Sequence, residues 1–227
     1  MAELFHVLNR GVEGRKIFTS KSDHFRFVHG LQLFNASGPA ENTTYFLENN
    51  IDLRSRYENT VRLVDIHAWC LMPNHYHLLI SERVDGGLTL FMRKLNIGYA
   101  NYFNKKYNRR GSLFQGRTKK ILIDRDAHFL HILHYIHLNP LDLLPETRRW
   151  RHAKIGDESS ARKHLEEYRW SSLHDYKGRK NFPDILTTTV FQEEAGDVEK
   201  ETWDYLRDMH ADGLGELALE RECISTS

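Results

Sequence analysis

Hydrophobic positions recur along this chain with two periods, and these periods predict its strands and helices. Alternation with a period of two residues predicts strands at positions 5–9, 61–71, 75–80 and 120–123. Helical spacing predicts helices at positions 22–34, 88–106 and 124–138, the first capped at Ser22-Asp23. Met72-Pro73-Asn74 predicts a hairpin. Asn139-Pro140 predicts the end of the third helix, because proline disfavours helical conformation in the residue before it.

The order of these elements predicts the fold class and the domain organisation. Strand, helix, hairpin, helix, strand, helix favours an α+β fold, with an antiparallel sheet and helices packed on one face. We expect residues 1–145 to form the main domain, with an Asn-rich insertion at about 35–60. Residues 146–180 are expected to pack on this domain, and residues 181–227 to form an acidic, helical tail.

Charge is distributed unevenly, although the net charge at pH 7 is only +1. Positions 88–123 hold nine Lys or Arg residues and no Asp or Glu, whereas positions 193–222 hold eleven acidic residues and three basic ones. Aromatic residues lie between the cations, namely Phe91, Tyr99, Tyr102, Phe103, Tyr107 and Phe114. Cations pair with phosphates and rings stack on unpaired bases, so this segment predicts a nucleic-acid surface, with about half of the rings expected in the core.

The composition also bears on location. The two cysteines, Cys70 and Cys223, cannot form a disulfide framework, which favours a reducing compartment. The first residues are not typical of a signal peptide, and no stretch approaches the roughly 18 to 20 apolar residues that span a bilayer. We therefore expect a soluble, cytoplasmic protein without a membrane partner.

His75-Tyr76-His77 is a candidate metal-binding pair. Residues two apart on a strand point to the same face, so both imidazoles can reach one ion. The chain has 14 histidines in 227 residues, and chance gives roughly one such spacing, 14 × 14/227. Two ordinary strand histidines that flank a buried tyrosine are therefore an equally weighted alternative.

The third predicted helix carries polar residues beside its apolar side. At about 100° per residue, the apolar arc consists of Phe129, Ile132, Leu133 and Ile136. The polar residues that fall together next to it are His128, His131, Tyr135 and Asn139. Tyr135 and Asn139 are one turn apart, so a phenol and an amide oxygen are presented together. Alternatively, Asn139 only ends the helix and Tyr135 is a core aromatic.

Four stretches are similar to the motifs of a known family. They are His6-Val-Leu-Asn-Arg-Gly11, Met72-Pro-Asn-His-Tyr-His-Leu-Leu-Ile80, Gly111-Ser-Leu-Phe-Gln-Gly-Arg117 and His134-Tyr-Ile-His-Leu-Asn-Pro140. With them the chain resembles the HUH single-tyrosine transposases (IS200-like), most of all the REP-associated tyrosine transposase-like branch. The resemblance runs from about Phe5 to Pro140, and Trp170-Ser171-Ser172 with Tyr176 is similar to the family's C-terminal segment.

The resemblance implies a fold and a set of site residues. The fold is a ferredoxin-like antiparallel sheet with the histidine pair on a central strand. Tyr135 is implied as the nucleophile, and His75, His77 and Asn139 as ligands of a divalent cation, Mg²⁺ or Mn²⁺. The charge pattern and the resemblance together predict DNA contacts at Arg10, Arg93, Lys94, Lys105, Arg109, Arg110, Gln115, Arg117, Lys119 and Lys120.

The expected reaction is transesterification on single-stranded or hairpin DNA. Attack by Tyr135 forms a 5′-phosphotyrosine intermediate, and the energy kept in that bond allows strands to be rejoined without ATP. His131, one turn before Tyr135, is a candidate proton acceptor for the phenol. A plain surface histidine is the more heavily weighted alternative at that position.

Two other classes of function remain open at this point. The first is a DNA- or RNA-binding regulator that has the same fold and performs no chemistry. The second is a zinc hydrolase that uses the helix histidines His128, His131, His134 and His137. It ranks last, because three-residue spacing spreads these four over about half the helix circumference. Both a monomer and a homodimer are compatible with the sequence.

Overall fold

The computed structural model describes residues 3–38, 60–123, 126–152, 155–188, 191 and 198–208, with only the backbone at 126–130, 199 and 208. Most of the predicted insertion at 35–60 and the tail beyond residue 208 lie outside these ranges. The described ends of the insertion meet, because Ser37 N–H donates to Val61 O at 3.0 Å and Leu63 N–H donates to Asn35 O at 3.0 Å. In the described part of the chain, no helix has the length and apolar character to cross a bilayer.

A four-stranded antiparallel sheet forms the centre of the molecule. Its strands are β1 (Leu4–Arg10), β2 (Val64–Met72), β3 (His75–Glu82) and β4 (Lys119–Ile123). The helices are α1 (Lys21–Leu33), α2 (Gly87–Lys106), α3 (Asp126–Leu138), α4 (Glu158–Glu167), α5 (Leu173–Tyr176) and α6 (Val198–Asp208). The spatial order β2-β3-β1-β4, with α1 and α2 as the two crossovers, is ferredoxin-like. The predicted fold class is therefore confirmed.

One face of the sheet, here called the α1–α2 face, packs against α1 and α2. Side chains of alternate strand residues point to it, among them Val7, Tyr76, Leu78 and Ile80, all buried in one apolar core. The helices approach each other closely at Gly98, where any Cβ would overlap the ring of Phe34. This core is apolar and aromatic, which fits the prediction of helices packed on the sheet.

The opposite face, here called the histidine face, is covered by α3 and by the C-terminal segments. Ile132, Leu133 and Ile136 of α3 are buried against Ala68, Cys70 and Leu79 of the sheet. The expectation of helices on one face therefore holds for α1 and α2, while α3 covers the other face. The apolar side of α3 has to pack on a sheet face, and α1 and α2 already cover the α1–α2 face.

Hydrogen bonds attach residues 168–176 to the edge strand β2. Tyr168 Oη donates to Leu71 O at 2.5 Å, Tyr176 Oη donates to His67 O at 2.8 Å, and Trp69 N–H donates to Ser172 Oγ at 3.0 Å. The sheet edge is thereby satisfied without a fifth strand. The helix α6, which lies within the predicted acidic tail, packs on α3.

The start of the first helix differs from the predicted one, whereas the third helix ends at Leu138 as predicted. The first helix begins after Ser20, whose side chain accepts from Asp23 N–H while Asp23 caps Ser20 in return, so the cap lies two residues before the predicted one. The third helix passes into a 3-10 turn, Asn139–Leu143, with Pro140 at its start. Proline fits there because the first N–H groups of a helix have no partner within it.

Candidate active site

The strand β3 presents His75 and His77 on the histidine face. In the β1–β3 register, Arg10 lies opposite His75 and Leu8 opposite His77. The hairpin before His75 is anchored, because Pro73 O accepts from Ile17 N–H at 2.8 Å. Tyr76, between the two histidines, points to the other face and is fully buried. The structure thus places the two imidazoles side by side, with ring centroids 4.9 Å apart.

The neighbouring residue Asn74 determines which ring nitrogen of His75 carries the proton. His75 Nδ1 lies 2.7 Å from Asn74 Oδ1, and Asn74 Nδ2 donates to Gly14 O at 3.3 Å. The second bond orients the amide so that its oxygen faces the imidazole. An amide oxygen only accepts, so Nδ1 of His75 carries the proton and Nε2 has the lone pair that a metal ligand needs.

A third imidazole, His6 of β1, lies against His77. His6 Nε2 and His77 Nδ1 are 2.9 Å apart, and the two rings are stacked with centroids 5.2 Å apart. Both side chains are buried. This contact uses Nδ1 of His77 and directs its Nε2 away from His6. The sequence analysis did not assign a role to His6, although the residue opens one of the four family-like stretches.

Tyr135 lies over these imidazoles from α3. Its ring centroid is 6.0 Å from that of His6 and 6.1 Å from that of His77, and both pairs are edge-on. The ring of Trp150 packs on its other side at 5.7 Å. The Tyr135 hydroxyl oxygen is buried. The predicted nucleophile and the predicted metal-binding pair therefore meet in one cluster, although 58 residues (135 − 77) separate them in the sequence.

Asn139 is fully buried one turn after Tyr135. Its Nδ2 donates to Tyr135 O at 2.9 Å, and its Oδ1 accepts from Arg151 Nη2 at 2.8 Å. Arg151 in turn donates through Nη1 to both oxygens of Asp142, at 2.5 and 2.6 Å. The amide oxygen predicted as the third metal ligand is thus engaged by a guanidinium group, which sequence reasoning did not foresee.

The remaining helix histidines face different partners. His131 packs its ring on Tyr205 of α6, with centroids 5.0 Å apart. His134 Nδ1 lies 2.8 Å from Thr202 Oγ1, and burial lowers the pKa of His134 to about 4. His137 Nε2 lies 2.8 Å from Ser172 Oγ, and burial lowers its pKa to about 3. The side chain of His128 lies outside the described part, and the other three do not share one centre.

A family comparison bears on this cluster. Residues 55–139 match the family model described as "Transposase IS200 like". That range contains β2, β3, α2, β4 and α3, and therefore His75, His77, Tyr135 and Asn139. This segment of the chain is similar to the IS200-like transposases.

Comparison with solved structures finds a match at low sequence identity. The chain is similar to a structure described as "Structure of the REP associates tyrosine transposase bound to a REP hairpin". The two share 16% identity, the match covers 87% of each chain, and the TM-score is 0.45. No curated protein matches this chain. The REP-associated branch therefore stays a prediction.

The donor set of this IS200-like segment suits a divalent cation. Two imidazole nitrogens and an amide oxygen are compatible with Mn²⁺, and with Mg²⁺ when waters complete its shell. Among the described residues, no group of three or more His, Cys, Asp or Glu could hold a metal ion. The predicted set has two such residues and depends on Asn139 for a third ligand, so metal binding stays a prediction.

The basic segment of the transposase-like domain forms a groove beside the sheet. A cavity of about 750 Å³ lies between α2, β4 and the loop 111–118. Its described lining includes Arg93, Arg117 and Lys120 and contains no acidic residue. In the groove floor, Thr118 Oγ1 accepts from Asn96 Nδ2 at 2.8 Å and from Asn9 Nδ2 at 3.4 Å, which links α2, β1 and the loop. Such a groove can hold a phosphate backbone.

The loop 111–118 connects this groove to the histidine pair. Gln115 N–H donates to Arg10 O at 2.8 Å, and Val12 N–H donates to Leu113 O at 3.0 Å. Arg10 in turn lies opposite His75 in the sheet. The predicted DNA contacts that are exposed or partly exposed along this path are Arg10, Arg93, Lys105, Arg110, Gln115, Arg117, Lys119 and Lys120.

Lys94 and Arg109, two of the predicted DNA contacts, bond the backbone of neighbouring loops. Lys94 Nζ donates to Ala36 O at 2.5 Å and to Gly38 O at 2.7 Å, and burial lowers its pKa. Arg109 Nη1 donates to Asn104 Oδ1 at 2.6 Å and Nη2 donates to Ser112 O at 3.3 Å, which shapes the turn after α2. In this structure both side chains hold loops.

The aromatic residues of the basic segment are mostly core residues. Four of them are buried, namely Phe91, Tyr99, Phe103 and Phe114. Tyr102 is half-buried and donates to Asp23 Oδ1 at 3.1 Å, and only Tyr107 is exposed, at 36%. Four-residue spacing along α2 directs Phe91, Tyr99 and Phe103 toward α1. About half of the rings were expected in the core, and four of the six lie there.

Proposed function

We propose that this protein is a metal-dependent endonuclease and strand transferase that acts on single-stranded, hairpin-associated DNA through Tyr135. The observation that carries the proposal is the meeting of Tyr135 with His6 and His77, three side chains from α3, β1 and β3. A tyrosine with a buried hydroxyl and a ring packed against imidazoles is compatible with covalent catalysis. The IS200-like family of residues 55–139 supports the transposase class.

Nε2 of His75, Nε2 of His77 and Oδ1 of Asn139 would hold the cation. A bound Mg²⁺ or Mn²⁺ would polarise the scissile phosphate and offset its developing negative charge. Nδ1 of His75 bonds Asn74, and Nδ1 of His77 bonds His6. Metal-ligating histidines are usually oriented by such bonds through the other ring nitrogen.

Tyr135 must lose its proton as it attacks, because a phenol with a pKa near ~10 is a weak nucleophile at neutral pH. The phenol oxygen bonds to phosphorus, the bond to the 3′ oxygen breaks, and that oxygen takes up a proton. The products are a 5′-phosphotyrosine and a free 3′-hydroxyl. His131, the predicted proton acceptor, packs its ring on Tyr205. His6 contacts Tyr135, but its Nε2 lone pair accepts from His77 Nδ1–H when Nε2 of His77 is the ligand, so no proton acceptor is assigned.

The substrate follows from the shape and charge of the site. The Tyr135 hydroxyl lies in a buried position between the sheet and the segment that carries Trp150. A single strand can enter such a recess, whereas a duplex is about 20 Å wide and its phosphates are held apart. The basic groove and the loop 111–118 extend from the His75 end of the sheet and would bind the adjoining strand.

The test is a denaturing gel with 5′- and 3′-labelled hairpin DNAs taken from the flanks of the gene. Wild type, Tyr135→Phe and His77→Ala are incubated with Mn²⁺, Mg²⁺ or EDTA. We expect a covalent protein–DNA band that carries the downstream strand, and we expect both variants and EDTA to abolish it. Tyr205→Phe is the matched control, because Tyr205 is a buried tyrosine on the same side of the sheet and should leave the band unchanged.

The alternative function, a DNA- or RNA-binding regulator that performs no chemistry, predicts a different result. Equal DNA binding by wild type and Tyr135→Phe, with no covalent band on any hairpin tested, would overturn the proposed chemistry. A band that forms equally well in EDTA would keep the nucleophile and reject the metal.

A further inference from the structure

Arg151 links three parts of the candidate site. Its guanidinium bonds Asn139 Oδ1 at 2.8 Å and both carboxylate oxygens of Asp142. The same group lies 4.4 Å from the ring centroid of Trp150 and 5.5 Å from that of Tyr135. Arg151 lies beyond the family match, which ends at residue 139, so the resemblance assigns it no role.

The Asn139 carboxamide has two ends, and only its oxygen can ligate a cation. Rotation by half a turn would exchange the oxygen for the NH₂ group. Two bonds select one orientation, since Nδ2 donates to Tyr135 O and Oδ1 accepts from Arg151. A guanidinium has donors and no acceptor, so it can pair with the oxygen end alone. A carbonyl oxygen has two lone pairs, and Arg151 leaves one of them for a cation.

Asp142 offsets the charge that this arrangement brings near the cation. A guanidinium beside a divalent ion would repel it, and Arg151 donates from Nη1 to both oxygens of Asp142 at 2.5 and 2.6 Å. The pair is therefore close to neutral as a unit. Trp150 Nε1 also donates to Asp142 Oδ1, at 2.8 Å, so the carboxylate is fixed in position.

The other two proposed ligands are oriented in a similar way. Asn74 bonds His75 Nδ1 and His6 bonds His77 Nδ1. These partners come from the β2–β3 hairpin and from β1, whereas Arg151 comes from the segment after α3. Each proposed ligand thus has one partner that directs its donor atom, and partners of this kind affect metal affinity by about 10- to 100-fold.

We propose that Arg151 is a positioning residue of the metal centre, which holds the Asn139 amide oxygen toward the cation while Asp142 neutralises its charge. This inference rests on the proposed function, because it assumes that Asn139 is a ligand. It goes beyond that function in assigning roles to Arg151 and Asp142.

The test measures Mn²⁺ affinity by electron paramagnetic resonance on the full chain, beside adduct formation. We expect Arg151→Gln to weaken Mn²⁺ binding by about 10- to 100-fold. Arg151→Lys should also weaken it, because a single ammonium cannot bridge Asn139 and Asp142 as a planar fork does. Asp142→Asn should weaken it in a salt-dependent manner, because it leaves the guanidinium charge uncompensated.

Arg162→Gln is the matched control. Arg162 is also paired with a carboxylate, Glu158, at 2.6 Å, and its guanidinium lies 4.1 Å from the ring centroid of Trp203. It differs from Arg151 in lying on α4, where it bonds Glu158 and has no bond to Asn139. We expect its loss to leave Mn²⁺ affinity unchanged. Thermal unfolding of every variant shows whether the protein measured is folded, and Arg151→Lys retains the charge if Arg151→Gln does not fold.

The outcomes separate this inference from the proposed function. Equal Mn²⁺ affinity in wild type, Arg151→Gln and Arg151→Lys would overturn the inference, while the metal-dependent adduct of the wild type would still stand. Weaker binding in these variants, together with a wild type that forms no adduct, would support the inference and reject the proposed chemistry. Absence of Mn²⁺ binding by the wild type would overturn the inference.

Discussion

The two faces of the sheet bury different types of side chain. On the α1–α2 face the core consists of apolar and aromatic side chains, nearly all from residues 7–114, and Asp23 of α1 is buried in its ion pair with Lys106. On the histidine face, α3 and the C-terminal segments enclose buried polar groups, among them His6, His77, His134, His137 and Asn139. Each of these five has a hydrogen-bonding partner on another segment or one turn away.

Because of this difference, the α1–α2 face contributes mainly to the stability of the fold, whereas the histidine face carries the candidate site. Burying apolar groups stabilises the fold without placing any reactive atom, whereas a buried polar group costs free energy unless it is paired. The histidine face therefore depends on complementary partners, and the segments after α3 supply several of them, including Ser172, Thr202 and Arg151. Activity should respond to changes on that face well beyond their effect on stability.

The largest expected effect contrasts one buried ring from each face. Trp150→Ala and Phe27→Ala each remove a fully buried ring and should each cost about 3 to 5 kcal/mol of unfolding free energy. At a temperature where both variants are folded, only Trp150→Ala should lose adduct formation, by about 100-fold, because Trp150 packs on Tyr135 and a small displacement of a reacting group has that cost. Chemical denaturation and adduct rates measure the two quantities.

A comparable loss of adduct rate in folded Phe27→Ala would contradict the separation of the two faces. Phe27 contacts Tyr76 and Tyr99, with ring centroids 4.9 and 5.1 Å apart, on the side of the sheet away from Tyr135.

The next effect concerns the pH dependence of stability. Burial holds the pKa of His134 at about 4 and that of His137 at about 3, below the histidine value of 6.5. Between these values and 6.5 the unfolded chain binds protons that the folded chain does not, so stability falls as pH falls. From pH 7 to pH 5 the loss should be on the order of 2 kcal/mol for each histidine. Urea denaturation at both pH values measures it.

His134→Gln should reduce the loss of unfolding free energy between pH 7 and pH 5 by the contribution of one histidine. The substitution removes one titrating group and keeps a donor for Thr202. His152→Gln is the control, since His152 is exposed. Acid loss of stability that is the same in His134→Gln as in wild type would show that His134 is not one of its sources.

The smallest effect concerns the groove at the edge of the α1–α2 face. Arg93→Gln and Arg117→Gln should each weaken single-stranded DNA binding a few-fold, and each should lower the slope of log affinity against log salt by about 0.7. Fluorescence anisotropy at several salt concentrations measures both. Lys163→Gln, which removes a cation of 76% side-chain exposure on α4, is the control and should change neither quantity. Equal slopes for all four proteins would exclude the groove as the DNA path.

Local pattern was sufficient for the strands, the helices and most of the candidate site. Period-two alternation put His75 and His77 on one face, and helical spacing put Tyr135 one turn before Asn139. Both are relations between residues a few positions apart, where backbone geometry alone decides which side chains are neighbours. The family resemblance implied a ferredoxin-like sheet, and the observed strand order β2-β3-β1-β4 agrees with it.

Contacts between distant segments were decided only by the tertiary structure. His6 lies against His77, 71 residues away, and His134 meets Thr202, 68 residues away. Whether an aromatic residue of α2 enters the core or remains exposed likewise depended on where α1 packs. Periodicity describes one element at a time, whereas the partner of a buried polar group is chosen by the packing of several elements. For this reason the sequence identified His75, His77, Tyr135 and Asn139, and only the fold added His6, Asp142 and Arg151 around them.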